Sequence, residues 1–92
     1  MKGIKKMEEK IKAIVEKVRM MYKYSNEYKS LVNMDAKVVL SEDKTSGFKI
    51  ERICFDYYDR IVVCSNGISY HPEHGSVKTL MSYNSFDELL SM

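Results

Sequence analysis

Two cysteines in this sequence have a spacing that allows chemistry. Cys54 and Cys64 flank a turn predicted at residues 58–60, and a three-residue loop there would place the two residues opposite each other on paired strands. Two adjacent thiols are able to form a redox switch or half of a metal site. Small buried hydrophobic residues have the same pattern, and we interpret both cysteines as reduced packing residues.

A second group of chemically capable residues lies in the C-terminal half of the chain. His71, Glu73 and His74 are candidate zinc ligands or an acid–base pair, and Asp56 and Asp59 form a carboxylate pair. A single His-x-x-His without a second paired motif is a weak zinc signal, and aspartate is favoured at turns for its local hydrogen bonding. The sequence predicts no enzyme, metal or cofactor; a small metal- or histidine-dependent enzyme is our third hypothesis.

Tyrosine is frequent in this chain, with seven in 92 residues. It is enriched at protein interfaces because it combines apolar area with a polar tip. The candidate partner-binding residues are Tyr22, Tyr24, Tyr28, Tyr57, Tyr58, Arg60 and Tyr70. Our first hypothesis is therefore a non-catalytic interaction protein, a small inhibitor or adaptor of another protein. Phage-encoded inhibitors of host defence are often motif-free chains of this size, so a phage-type inhibitor is one form of this hypothesis.

Basic residues in the N-terminal third support a second hypothesis. Lys5, Lys12 and Arg19 recur every seven residues, and Lys17 lies on a neighbouring row of the same predicted helix. Residues 1–33 hold nine basic and four acidic residues, whereas the remainder holds six basic and nine acidic residues. Rows of this kind are able to contact a phosphate backbone, so a nucleic-acid-binding protein is the alternative.

The N-terminal residues must be positioned by a long amphipathic helix, predicted to cover residues 1–33. Apolar side chains recur at steps of three and four from Ile4 to Val32, with a polar interruption at Ser25. A helix of about 30 residues spans about 45 Å, which exceeds the reach of strands of five to eight residues. We therefore expect a second copy to cover the surplus apolar stripe in a homodimer, unless the helix breaks at Ser25 and folds back.

The rest of the chain predicts a small sheet followed by a short helix. From residue 36 to 83 the hydrophobic period is two, which indicates three to five antiparallel strands. A phase slip at Glu51-Arg52 indicates a β-bulge, and Asn66-Gly67 indicates a two-residue hairpin turn with positive φ. Ser85 and Glu88 match a capping box at the start of a helix within residues 85–92. The predicted fold is one α+β domain covering residues 1–92.

Composition narrows the class of protein and its location. The chain is 45% hydrophobic and 30% charged, which is typical of a globular protein and not of a disordered one. No apolar run approaches the ~20 residues of a membrane span, and the charged N-terminus lacks a signal-peptide core. We therefore expect a cytoplasmic chain without a membrane partner, in which the cysteines are reduced.

Overall fold

The computed structural model describes the backbone of residues 2–92 and the side chains of residues 5–92, and it has the predicted α+β class. Met1 and the side chain of Ile4, the first residue of the predicted apolar stripe, lie outside that description. The elements in chain order are α1 (Lys2–Met21), α2 (Lys29–Val32), β1 (Ala36–Asp43), β2 (Gly47–Asp56), β3 (Arg60–Cys64), β4 (Gly67–His71), β5 (Lys78–Ser82) and α3 (Phe86–Leu90).

The five strands form one antiparallel sheet in the order β1-β2-β3-β4-β5, so strands that are consecutive in sequence are also neighbours in space. This order leaves β1 and β5 as the two edges. Side chains alternate between the two faces of a sheet. The face that packs against the helices carries a buried row of Ile53, Phe55, Ile61, Val63 and Ile68.

One hydrophobic core lies between the helices and this face of the sheet. The helices contribute buried side chains from α1 (Ile14, Val15, Val18), from α2 (Leu31, Val32) and from α3 (Phe86, Leu89). Complete burial of one such side chain stabilises a fold by roughly 1.5–3 kcal/mol. The apolar stripe predicted for the N-terminal helix is therefore confirmed as the side of α1 that packs on the sheet.

The single helix predicted for residues 1–33 is broken in the structure. α1 ends at Met21, and a turn region leads to the short helix α2, which begins at Lys29. Ser25 favours the break because its hydroxyl accepts a hydrogen bond from the backbone N–H of Tyr28 at 3.3 Å, a contact typical of a helix start. The 20 residues of α1 span about 30 Å, so the length mismatch that predicted a homodimer through the helix stripe is absent.

Two bulges interrupt the regular pairing of the sheet. The pairing of β2 with β1 skips Glu51, which confirms the bulge predicted at Glu51-Arg52. The pairing of β5 with β4 skips Leu80, a bulge that the sequence pattern did not indicate. A bulge bends its own strand and increases the local twist, so the edge strand β5 is irregular, whereas β1 keeps an unbroken alternation of side chains.

The hairpin between β3 and β4 is present, but its turn differs from the predicted one. Cys64 pairs with Gly67, so Ser65 and Asn66 form the loop, and neither has a positive φ. Gly67 serves close packing instead, because a Cβ atom at this position would lie 2.6 Å from the carbonyl oxygen of Met81. The missing side chain lets β5 approach β4 closely.

The short helix α3 begins with the predicted N-cap at Ser85, but the Glu88 carboxylate bonds to Asn84 and not to the backbone N–H of Ser85 as in a full capping box. The Ser85 hydroxyl accepts a hydrogen bond from the backbone N–H of Glu88 at 3.1 Å, and the Glu88 carboxylate accepts one from the side-chain amide of Asn84 at 3.2 Å. An ion pair of 3.1 Å between Lys10 and Asp87 joins α3 to α1. The cap fixes the first turn of α3, and the ion pair joins α3 to the middle of α1.

Candidate protein-binding surface

The turn between β2 and β3 presents two tyrosines to solvent. Asp56 pairs with Arg60, so residues 57–59 form the three-residue loop, one position earlier than predicted; we call this loop the aromatic turn. Tyr57 and Tyr58 are each 69% exposed. Their ring centroids lie 4.5 Å apart with an angle of 70° between the planes, an edge-to-face arrangement that aromatic pairs favour.

Asp59 ties the aromatic turn to the rest of the fold. One oxygen of its carboxylate accepts a hydrogen bond from the Tyr70 hydroxyl at 2.7 Å, and the other accepts one from the backbone N–H of Glu73 at 2.9 Å. The backbone carbonyl of Asp59 accepts a third bond from the N–H of Tyr57 at 2.9 Å. Tyr57 and Tyr58 therefore project from a backbone that is braced against β4 and the loop after it.

The bond between Tyr70 and Asp59 shifts the ionisation of both groups. Hydrogen bonds from the Tyr70 hydroxyl and then from the Glu73 backbone lower the pKa of the Asp59 carboxyl below its ordinary value. The same bond to Asp59 is the main cause that raises the pKa of Tyr70 to about 12, and burial adds to it. At neutral pH Asp59 is charged and Tyr70 is protonated, which is the combination that forms the bond.

Three further tyrosines pack together behind the aromatic turn. Tyr22, Tyr28 and Tyr70, which we call the tyrosine cluster, have ring centroids 5.9 Å apart between the first two and 5.2 Å apart between the last two. Tyr22 and Tyr70 are half-buried, and Tyr28 is buried. Tyr28 was predicted to bind a partner; it lies in the core instead, because the break in the helix brings it against Tyr70 of β4.

The two other predicted partner-binding residues have different surroundings. Tyr24 lies in the connection between α1 and α2 and is 86% exposed, with the Lys23 ammonium 4.9 Å from its ring centre. Arg60 lies on the face of the sheet away from the helices, where its Nε is 2.7 Å from the Asp56 carboxylate. Arg60 is thus paired within its own chain, and Tyr24 stands free of the tyrosine cluster.

A shallow depression of about 490 Å³ adjoins the aromatic turn. Its lining residues come from α2 and its flanks (Glu27, Ser30, Leu31, Met34) and from the turn and the loop after β4 (Tyr57, Tyr58, Asp59, Glu73). Glu27 and Met34 were not predicted as site residues, because only the fold brings the flanks of α2 beside the turn. The depression is lined by both apolar and acidic residues.

The basic residues of the nucleic-acid hypothesis are divided between two roles. Arg19 donates hydrogen bonds of 2.9 and 3.0 Å to two backbone carbonyls at and just after α2, and Lys17 donates one to the backbone oxygen of the last residue. Lys5 and Lys12 are exposed. Arg19 and Lys17 therefore help to hold α1 against the rest of the chain, which leaves the predicted basic row only partly available for phosphates.

The two cysteines are diagonal neighbours and not the directly opposed pair that was predicted. Cys54 lies opposite Val62, and Cys64 lies opposite Arg52, because the loop occupies residues 57–59. Both cysteines are free thiols. Burial, with a contribution from Cys54, raises the pKa of Cys64, which favours the unreactive thiol form over the thiolate.

The two histidines have separate partners. The Nε2 atom of His71 is 2.9 Å from the hydroxyl of Ser69 on the same strand, whereas His74 is exposed and lies 3.9 Å from the Glu73 carboxylate. Within the residues that the structure describes, no group of three or more His, Cys, Asp or Glu side chains is arranged to hold a metal ion. The metal-site hypothesis therefore gains no geometric support from these residues.

The longest helix, α1, has exposed charged side chains along its outer side. In the described part of the chain, no helix combines the length and the apolar character needed to cross a membrane.

No protein-family model matches this sequence, and comparisons with curated proteins and with solved structures find no significant match either.

Proposed function

We propose that this protein is a non-catalytic binding module, a small inhibitor or adaptor, that contacts another protein through the aromatic turn. One observation carries the proposal: Tyr57 and Tyr58 are each 69% exposed, while Asp59 holds the backbone beside them through bonds to Tyr70 and Glu73. Exposed aromatic rings on an ordered turn favour binding, because the free energy falls when a partner removes large apolar side chains from water.

Tyrosine is well suited to this role. Its ring supplies apolar contact area, its hydroxyl supplies a hydrogen bond, and interfaces commonly depend on a few Tyr, Trp and Arg side chains. Because Asp59 orders the turn before binding, less conformational entropy is lost on association. Removal of one central ring typically costs at least about 2 kcal/mol of binding free energy, or roughly 30-fold in affinity.

The surroundings of the turn favour a partner with basic side chains around an apolar patch. Three carboxylates, from Glu27, Asp59 and Glu73, line the depression that also contains Met34. Complementary charges across an interface steer association and fix its orientation. A phage-type inhibitor of host defence would use such a surface to cover part of a host protein.

Capture of proteins from a cell lysate tests the proposal. Tagged wild-type protein is compared with the double variant Tyr57→Ala/Tyr58→Ala and with Phe48→Ala, and bound proteins are identified by mass spectrometry. Phe48 is the matched control because it is an aromatic residue of β2, 56% exposed, at the opposite end of that strand. We expect one stoichiometric protein that is lost with the double variant and kept with Phe48→Ala. Retention by the double variant would contradict the proposal.

Nuclease treatment of half of each lysate tests the nucleic-acid alternative in the same experiment. Binding through exposed lysines such as Lys5 and Lys12 would fall steeply with salt, because phosphate contacts release counterions. If the captured material disappears after nuclease treatment, the binding surface would be assigned to the basic residues of α1. Captured protein that survives the treatment supports the aromatic turn.

A further inference from the structure

β1 is an edge strand with an uninterrupted apolar centre. It has eight residues and pairs with β2 along one side only. Val38 and Leu40 lie on the helix side of the sheet but remain 36% and 44% exposed. A long edge of this kind offers unpaired backbone N–H and C=O groups and apolar side chains to another strand.

The opposite edge strand, β5, has the features that protect an edge. It has five residues, a bulge at Leu80 interrupts its pairing with β4, and exposed Lys78 lies opposite Tyr70 on the helix side. Short length, a bulge and a charge on the inner face each discourage a further strand from adding. β1 is longer, with eight residues. The bulge in its pairing with β2, between Val39 and Leu40, lies on β2 at Glu51 and leaves β1 itself regular. No charged side chain faces the helix side between Lys37 and Ser41, so the two edges differ in their capacity to pair.

We propose that β1 pairs antiparallel with β1 of a second copy of this chain, about a two-fold axis, to form one continuous sheet across both copies. Directly opposed residues of an antiparallel pair lie on the same face of the sheet. A two-fold axis through the pair therefore places one residue opposite its own counterpart. We infer that this residue is Leu40, which lies near the middle of the strand.

The charges of β1 select the pairing centred on Leu40. The strand has Lys37 near its start and Asp43 at its end. With Leu40 on the axis, Lys37 of each copy lies opposite Asp43 of the other, in addition to the 3.6 Å ion pair that Lys37 forms with Asp56 of its own chain. This gives two opposite-charge pairs across the copies on the face away from the helices. With Val39 on the axis, Asp35 would instead lie opposite Asp43, and like charges in direct opposition destabilise a pair of strands.

The same pairing covers apolar surface on the helix side. Leu40 lies beside Ile50 of β2, so pairing extends this row with the Leu40 and Ile50 of the second copy. Val38 of each copy then lies against the aliphatic part of Glu42 of the other. A second copy thus covers the exposed apolar side chains of β1. This burial of apolar surface favours the dimer over a β1 edge that is open to water.

Disulfide crosslinking tests the register directly. Leu40→Cys and Val38→Cys are compared in a background carrying Cys54→Ala and Cys64→Ala. Directly opposed residues have Cβ atoms about 4.5–5.5 Å apart, close to disulfide geometry. Val38 would lie about 13 Å from its counterpart at 3.3 Å per residue. Under mild oxidation we expect about tenfold more linked dimer from Leu40→Cys than from Val38→Cys.

Sedimentation equilibrium of the unmodified chain provides the second test. We expect dimers, and we expect Leu40→Lys to weaken dimerisation by about a hundredfold, because it places two ammonium groups on the axis. Met20→Lys is the matched control, since Met20 is an exposed apolar residue of α1. Equal crosslinking by both cysteine variants, or an unmodified chain that stays monomeric at about 100 µM, would overturn the proposal. A monomer whose β1 amides become protected only when another protein is added would assign this edge to a strand of that protein.

Discussion

Strand β2 has an exposed apolar site at each end, and the two sites are supported differently. At its C-terminal end the aromatic turn is held by hydrogen bonds from Tyr70 and Glu73, which are distant in sequence. At its N-terminal end the turn to β1 is held by Asp43, whose carboxylate accepts bonds from Thr45 and Ser46, only two and three residues away.

The difference indicates two kinds of contact. The C-terminal end fixes its backbone and exposes tyrosine side chains, which suits recognition by a partner protein. The N-terminal half of β2 lies beside the exposed part of β1 centred on Leu40, which suits pairing with a second copy. The proposed axis residue Leu40 lies opposite Ile50 of β2, which is seven residues, or about 23 Å, from Tyr57. Pairing centred on Leu40 therefore leaves both aromatic turns of a dimer accessible.

The largest expected effect is a loss of stability when the core beneath both ends of β2 is disrupted. Phe55 of β2 is fully buried in the core, and Phe55→Ala should lower the free energy of unfolding by about 3–5 kcal/mol. Phe48→Ala, at the open end of the same strand, should change it by no more than about 0.5 kcal/mol in the monomer. Urea unfolding at low protein concentration measures both values. Equal losses would show that the N-terminal end of β2 is packed and not open.

The next largest effect is expected at Gly67, where a substitution should disturb the edge strand β5 and leave the rest of the sheet intact. Gly67→Ala places a Cβ atom against the carbonyl oxygen of Met81 and should cost about 1–3 kcal/mol, because β5 must move away from β4. Amide hydrogen exchange should rise in β5 and remain low in β2 and β3. A uniform rise across the sheet would contradict the view that β5 is held as a separate, protected edge.

A smaller effect is expected from the bond that braces the aromatic turn. Tyr70→Phe removes the hydroxyl that hydrogen-bonds to Asp59, so the pKa of Asp59 should rise toward its ordinary value, whereas that of Asp43 should stay low because Ser46 and Thr45 hold it. NMR titration of the two carboxyl groups measures this difference. Partner affinity should fall by about threefold to tenfold through lost ordering of the turn. Parallel shifts of Asp43 and Asp59 would show that the two turns are not independent.

The smallest effects are those of pH on the unmodified protein. Asp59 and Asp43 have lowered pKa values in the folded state, so their contributions to stability are complete above the ordinary pKa of 3.8 and are lost as the pH falls through the folded values. Tyr70 has a pKa raised from 10.0 to about 12, so its contribution is complete below pH 10 and is lost as the pH rises toward 12. Absorbance of ionised tyrosine should therefore show one fewer late-titrating group in Tyr70→Phe, while Tyr83, whose pKa is also raised by burial, continues to titrate late. An unchanged titration curve would contradict the strength of this bond.

Local patterns in the sequence predicted several features of the fold correctly. The apolar stripe of α1, the bulge at Glu51 and the capping contact of Ser85 each depend on residues a few positions apart. The end of the first helix was harder to predict, because apolar spacing continues to Val32 while the Ser25 hydroxyl competes for the backbone. The strand register near Cys54 was wrong because a three-residue loop fits residues 57–59 and 58–60 almost equally well.

The arrangement of the candidate site depended on contacts that no local pattern contains. Tyr57 and Tyr58 were predicted as partner-binding residues from composition and position, but the role of Asp59 requires Tyr70 and Glu73 from beyond the next strand. Burial of Tyr28 follows from its packing on Tyr70. Such contacts arise only after the sheet has formed, so they require the three-dimensional structure.

The most direct test of the contrast between the two ends is photocrosslinking from one position at each end. A benzophenone amino acid replaces Tyr58 in one variant and Leu40 in another, both exposed positions, and each is irradiated in lysate. We predict that position 58 links to a different protein and that position 40 links to a second copy of this chain. Links from position 58 only to this chain, or the same foreign protein linked from both positions, would contradict the assignment of a partner to the aromatic turn.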